Sequence, residues 1–203
     1  MVLEYRTVAA EHRHEIDPVK GSRFLTSVAP ATSVEEAEAF VERIRREFAD
    51  ATHNCWAYRV GPDGAAFRSS DDGEPSGSAG RPILQQVEGH GLTDVAIVVT
   101  RWFGGTKLGV GGLVRAYGGA AGKTLDRTPC RTILVTRRIA IEHPYECSGA
   151  VQSLLAARDL EPSSAEYGAH VALVLEVPER DVETFTRELL DRTAGRARLV
   201  PES

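Results

Sequence analysis

The sequence holds too little sulfur in the wrong places for disulfide chemistry. Its three cysteines, Cys55, Cys130 and Cys147, are odd in number and form no CxxC pair. They read as free thiols in a reducing cytoplasm, with Cys55 in an apolar strand pattern and therefore in the core. Long apolar runs are missing too. None approaches the roughly 20 residues that span a bilayer, so no membrane partner is expected. The segment Met1–Arg6 lacks a basic start followed by an apolar stretch, so no secretory signal is read. An excess of positive charge is absent as well: the net charge is −5, which excludes coating nucleic acid by bulk charge. No internal repeat or low-complexity segment occurs.

What is present is an ordinary globular balance, 42% hydrophobic and 26% charged residues. The 203 residues suit one large domain or two of about 100 residues each. Charge is unevenly spread. Arg101, Lys107, Arg115, Lys123, Arg127 and Arg131 face the single acid Asp126, so this window carries +5 within an acidic chain. It also holds eight of the 19 glycines, which lets its backbone approach whatever its charges attract.

Periodicity orders the chain. Strands are expected near residues 3–10 and 23–29, with turns at Asp17-Pro18 and Lys20-Gly21-Ser22. Ser33 and Glu36 form a capping box, and Ala37, Phe40, Val41, Ile44 and Phe48 follow at helical spacing. His53–Val60 and Ala65–Ser69 read as strands around the turn Gly61-Pro62-Asp63-Gly64. The run Asp71–Gly80 has no apolar side chain larger than alanine or proline, so it is a long loop, and such loops inside compact domains are functional or disordered. A helix follows from Arg81 to Gly89 or Gly91. Val95–Val99 is a β-branched run that marks a strand buried on both faces, and a helix is expected from Leu113 to about Leu125.

After Pro129 the character changes. Strand 133–141, helix 147–158, strands 161–167 and 170–177, helix 180–193 and a short strand 196–200 give the order βαββαβ of a ferredoxin-like unit. The expected domains are 1–130 and 131–203, in an α+β chain.

Two nucleotide signatures nearly occur. Gly118–Thr124 ends like a P-loop, but Tyr117 stands where its first glycine belongs. Gly109–Val114 begins like a dinucleotide fingerprint, with valine in place of its last glycine. Both are rejected, and no cofactor and no metal are read from the sequence. The segment Gly104–Gly112 still has the physics of an anion site. Arg101, Gly104, Gly105, Lys107, Gly111, Gly112 and Arg115 are its candidate phosphate- or nucleic-acid-binding residues, with free backbone N–H groups and a helix N-terminus close by. Tight packing of these glycines is the competing explanation. Asp71, Asp72, Glu74, Ser76 and Ser78 make up the acidic loop. Its carboxylates could hold Mg²⁺ or serve as acid and base with His53; capping helix ends and pairing with the basic loop is the preferred reading. Ser76-Gly77-Ser78 is not a nucleophile elbow. Trp102, Phe103 and Tyr117 are candidates for stacking on bases or for the core.

These strings resemble a known family. Asp71–Leu84, Val98–Gly109 continuing through Gly111–Tyr117, Asp50–Tyr58 and Lys20–Phe24 are similar to the signature segments of the IMPACT family, whose bacterial members include the YigZ-like proteins. The resemblance covers about residues 18–127, and the remainder resembles the small domain that accompanies it in bacterial members. Ser78 stands where threonine is expected, and Trp56 and Trp102 where tyrosine is. The resemblance implies a two-layer α/β first domain similar to domain IV of elongation factor G and a second similar to domain V. It also implies translation-related regulation in eukaryotic members, through protein contacts and an extra domain that this sequence lacks. For this chain the first expectation is a cytoplasmic protein binding RNA or the ribosome. The alternatives are a metal-assisted hydrolase of a phosphorylated small molecule and a scaffold for protein partners. Enzymatic activity is not the favoured reading, and the sequence does not set the oligomeric state.

Overall fold

The alternation of residues along Val95–Val99 decides how the N-terminal part of the chain is layered. The computed structural model describes residues 2–201, which fall into a unit of Val2–Ile133 and a unit beginning at Leu134. The first runs β1 (Glu4–Val8), β2 (His12–Val19), β3 (Ser22–Pro30), α1 (Val34–Glu47), β4 (His53–Val60), β5 (Ala66–Ser70), α2 (Gly80–Gly89), β6 (Val95–Trp102) and α3 (Val110–Leu125), closing with β7 (Cys130–Leu134). Five strands form an antiparallel sheet in the order β2-β3-β6-β4-β5, and β1 pairs with β7.

β6 is the central strand. Its Val95, Ile97 and Val99 join Phe24, Val28, Cys55, Ile83, Val87, Leu113 and Tyr117 in a core under α2 and α3. Its Ala96 and Val98 join Phe40, Val41 and Ile44 of α1 with Tyr58 and Val60 in a second core. The strand is therefore buried on both faces, as its β-branched run predicts. The expectation of two layers is corrected to three. The apolar stripe of α1 needs a surface to cover, and it takes the sheet face that a two-layer fold leaves open. Ser33 caps α1 by accepting the Glu36 N–H at 3.2 Å, while the Glu36 carboxylate reaches one residue further back than a capping box requires, to the Thr32 N–H.

Three boundaries differ from the sequence reading. β2 fills a stretch expected to contain a turn at Asp17-Pro18; it is an edge strand in which only Ile16 is buried, and its register shifts between Ile16 and Val19, where the proline sits. Pro is tolerated at such edges. α3 begins at Val110 rather than Leu113, because glycine-rich first turns carry no periodic apolar signal. The expected strand 133–141 is two strands, since β7 pairs with β1 while β8 (Thr136–His143) belongs to a different sheet.

The second unit continues with α4 (Ser148–Ala157), β9 (Pro162–Tyr167), β10 (Val171–Pro178), α5 (Val182–Arg192) and β11 (Arg198–Val200). Its antiparallel sheet has the order β11-β8-β10-β9. Val151, Leu154, Phe185 and Leu189 of the two helices pack on Ile139, Ile141, Leu173 and Leu175. That is the ferredoxin-like βαββαβ arrangement. No helix among the described residues is long and apolar enough to cross a membrane.

Candidate functional site

The ends of β4 and β6, the loop after β5 and the first turn of α3 converge on a cleft of about 500 Å³. The sheet register explains the convergence. Arg101 lies opposite His53 on one side and Phe24 on the other, and it falls on the same strand face as Val99, looking toward α3. The residue is 4% exposed. Nη1 donates to Glu74 Oε1 at 2.5 Å and Nη2 donates to Ser22 Oγ at 3.1 Å. The guanidinium lies over the rings of Phe24 and Phe103 at 5.6 and 5.5 Å. Its Nε–H is buried without an acceptor.

Glu74 is the acceptor that gathers the site. Its Oε1 also takes the Tyr117 hydroxyl at 2.7 Å. Burial pushes the Tyr117 phenol upward, and the neighbouring Cys55 and Glu74 add to that, so it stays a neutral donor. His53 Nδ1 lies 2.8 Å from the Asp72 carbonyl oxygen. A carbonyl only accepts, so Nδ1 carries the proton that it shares with this oxygen. The ring's Nε2 stands 3.8 Å from Glu74 Oε1. Glu74 Oε2 makes no hydrogen bond among the described residues, and the Glu74 side chain is 5% exposed.

The rest of the acidic loop holds structure. Asp71 Oδ1 accepts the N–H groups of Ala79 and Gly80, both at 2.9 Å, and Oδ2 accepts that of Gly77 at 2.8 Å. It thereby caps α2, whose own cap residue Ala79 offers no side-chain acceptor. Desolvation raises the Asp71 carboxyl, but the backbone donors outweigh it and leave it below the usual range. Asp72 takes the Asn54 N–H at 2.6 Å and pairs with Arg45. Ser76 is exposed, and Ser78 is buried with its hydroxyl unpartnered. The Cys55 thiol is buried, pushed upward by desolvation, and donates to the Asp71 carbonyl. Among the described residues no group of three or more His, Cys, Asp or Glu could hold a metal ion.

The candidate phosphate-binding set is divided by the structure. Arg101 is enclosed with Glu74 and presents no free charge to a surface anion. Gly104 is a packing residue: a Cβ there would stand 1.9 Å from the Gly21 backbone. Gly105 is exposed, and Lys107 lines the cleft. Gly111 and Gly112 lie in the first turn of α3, which has no side-chain cap and no acid. Arg115 lies elsewhere, in a groove of about 340 Å³ between β2 and α3 that also holds Lys20 and Lys123, with Leu108 shared between groove and cleft. Lys20 and Lys123 were missed as partners of Arg115. Arg115, Gly119 and Lys123 at i, i+4 and i+8 give the signal for one helix face. Of the aromatics, Tyr117 is core. Trp102 is braced by Asp50, which accepts its Nε1–H at 2.8 Å, and by Arg23, while Phe103 is 46% exposed.

Comparison with known proteins follows this division of the chain. Residues 20–125 match the Impact N-terminal domain, and residues 141–196 match a domain of unknown function, DUF1949. An IMPACT family member of Thermus thermophilus is 47% identical over 88% of this chain and 97% of its own. The IMPACT family member YigZ of Escherichia coli is 36% identical over 91% and 92%. The rat Protein IMPACT shares 34% over 43% of this chain and 29% of its own length. A solved structure of a hypothetical protein, 34% identical, superposes with a TM-score of 0.76 over 100% of this chain and 99% of that one. With its first domain matched along most of its length and its bacterial relatives aligned nearly end to end, the chain belongs to the IMPACT family.

Proposed function

We propose that this protein binds single-stranded RNA along the α3 edge of its first unit, in the sphere of translation. One observation carries the reading. Lys20, Arg115 and Lys123 meet in one groove without any ion pair or hydrogen bond among the described residues. Elsewhere in the same unit arginines are matched by carboxylates, as in Arg13 with Glu47, Arg23 with Glu15, Arg43 with Glu11 and Arg68 with Glu38. Against those committed arginines, three cations left open in one groove of a chain with net charge −5 are available to an external anion. Phosphodiesters suit three cations spread over α3 and the β2–β3 turn.

The eukaryotic members of the family, implied to act in translational regulation, are matched only in part, so their partners are not carried over. Metal-assisted hydrolysis has weak support, because the oxygens of Asp71 and Asp72 are taken by backbone and Arg45. The test is RNA binding by fluorescence anisotropy across a salt series, for wild type and for Lys20→Ala/Arg115→Ala/Lys123→Ala. Affinity that ignores salt, or that the triple variant retains in full, overturns the reading.

A further inference from the structure

We infer that the cleft at the start of α3 binds a phosphomonoester with an apolar or planar body, at a site separate from the basic groove. Leu113 is the first residue of α3 whose N–H finds an acceptor, the Gly109 carbonyl, and no side chain caps the helix. The N–H groups of Val110, Gly111 and Gly112 are therefore open among the described residues, in a first turn that holds no acid. Lys107 lies just before them, lines the cleft and pairs with nothing among the described residues. A sixteen-residue helix that begins with open N–H groups beside a lysine is arranged for an oxyanion.

Two further observations point to a ligand. Arg101 lines the same cleft, is 4% exposed, and holds an Nε–H with no acceptor. Glu74 matches its charge, but a buried donor left unmade is costly and calls for an oxygen from outside the chain. Gly111 has no packing duty, since a Cβ there would meet only Arg115 Nη1, at an ordinary 3.7 Å. A glycine at a helical position with room for a side chain forgoes helix stability. Here it leaves the open N–H groups accessible to a bound group.

The lining sets the charge and shape of that group. Lys107 and Arg101 against Glu74 leave one formal positive charge even with His53 uncharged, and the helix end adds about half a charge. The donors come from three places: the first turn of α3, the loop before it and the end of β6. A carboxylate offers two oxygens in one plane, whereas a phosphomonoester offers three and carries close to two charges. The remaining wall is apolar. Phe103 is 46% exposed and Val110 57%, with Leu108 and Leu113 beside them. Such a surface suits a planar or apolar body attached to the phosphate, and a cleft of about 500 Å³ has the size of small-molecule sites.

Calorimetric titration of the full chain with phenyl phosphate, inorganic phosphate and benzoate tests the inference. Phenyl phosphate should bind at least about tenfold more tightly than benzoate and about three- to tenfold more tightly than inorganic phosphate. Lys107→Ala should weaken it about five- to tenfold. Gly111→Asp places a carboxylate in the open first turn, so it should raise the melting temperature and abolish phenyl phosphate binding. Loss of the site is thereby separated from loss of the fold. No binding of phenyl phosphate at millimolar concentration, equal binding of benzoate or of inorganic phosphate, or unaltered affinity in either variant would each overturn the inference. Competition assigns the source of the phosphate. Displacement of phenyl phosphate by 5′-phosphorylated UUUUU and not by its 5′-hydroxyl form assigns the cleft to the end of an RNA strand. Displacement by neither assigns it to a phosphorylated small molecule, and displacement by both overturns the inference, because an internal phosphodiester then suffices. Lys20→Ala/Lys123→Ala should lower affinity for 5′-hydroxyl RNA and keep that for phenyl phosphate, so groove and cleft fail independently.

Discussion

Arg101 Nη1 and Glu74 Oε1 stand 2.5 Å apart, 27 positions apart in sequence, with both side chains 5% exposed. Neither residue could be enclosed alone, because an unpaired buried charge is costly. Arg101→Met leaves the Glu74 carboxylate buried with Tyr117 as its remaining hydrogen-bond donor. It should destabilise the protein by about 3–5 kcal/mol, and the double variant Arg101→Met/Glu74→Met should regain most of that loss. Urea unfolding of the two variants measures it. A single-variant cost below about 1 kcal/mol would mean that the pair is hydrated in solution.

The three backbone donors on Asp71 predict a particular pH dependence. A carboxyl held below its ordinary value by the fold contributes stability above the unfolded pKa, near 3.9, and loses it as pH falls through the lower folded value. Asp71→Ala should therefore be less stable than wild type by about 1–3 kcal/mol at pH 7. The gap should narrow as pH falls below about 4. Denaturant midpoints at pH 7 and pH 3 test this, and a gap of the same size at both would remove the charge from the explanation.

Adjacent glycines in the basic loop should respond unequally. A Cβ on Gly104 would come within 2.0 Å of the Gly21 carbonyl oxygen and 2.4 Å of the Ser22 nitrogen, so the backbone itself must move. Gly105 has open space and needs only its positive φ of 85°. Gly105→Ala should cost about 1–2 kcal/mol, while Gly104→Ala should exceed about 4 kcal/mol or prevent folding. Thermal melts distinguish them. Equal effects would show that the contact with Gly21 relaxes freely.

The contrast between those glycines shows what the sequence can and cannot convey. The helices and inner strands were legible because burial imposes periods: α1 shows its stripe from Ala37 to Ile44, and β6 its unbroken β-branched run. β2 escaped because an edge strand with a single buried residue and a proline has no period to show. The region of the site was legible as an acidic loop, a strand end and a glycine-rich loop. Its connections were not. Glu74 meets Arg101, Tyr117 and His53 only because Asp72 and Gly73 turn the loop back with φ of 43° and 89°. Arg101 looked like a surface cation, and only the sheet register reveals that it points inward beside Val99. Lys20 lies far from Arg115 in sequence, and the groove exists because the β2–β3 turn lies beside α3.

That groove gives the most quantitative expectation. If Lys20, Arg115 and Lys123 each neutralise one phosphate, binding releases the corresponding counterions, and log affinity falls linearly with log salt. For single strands the slope is about −0.7 per phosphate, so the triple alanine variant should flatten it by about 2. The loss of affinity should be nearly the same for different RNA sequences, since contacts to phosphates read no base. Arg13→Ala, which removes a cation already committed to Glu47, should leave the slope where it was. A slope unchanged in the triple variant, with affinity lowered equally at every salt concentration, would mean that these side chains shape the groove by packing and that the phosphates are held elsewhere.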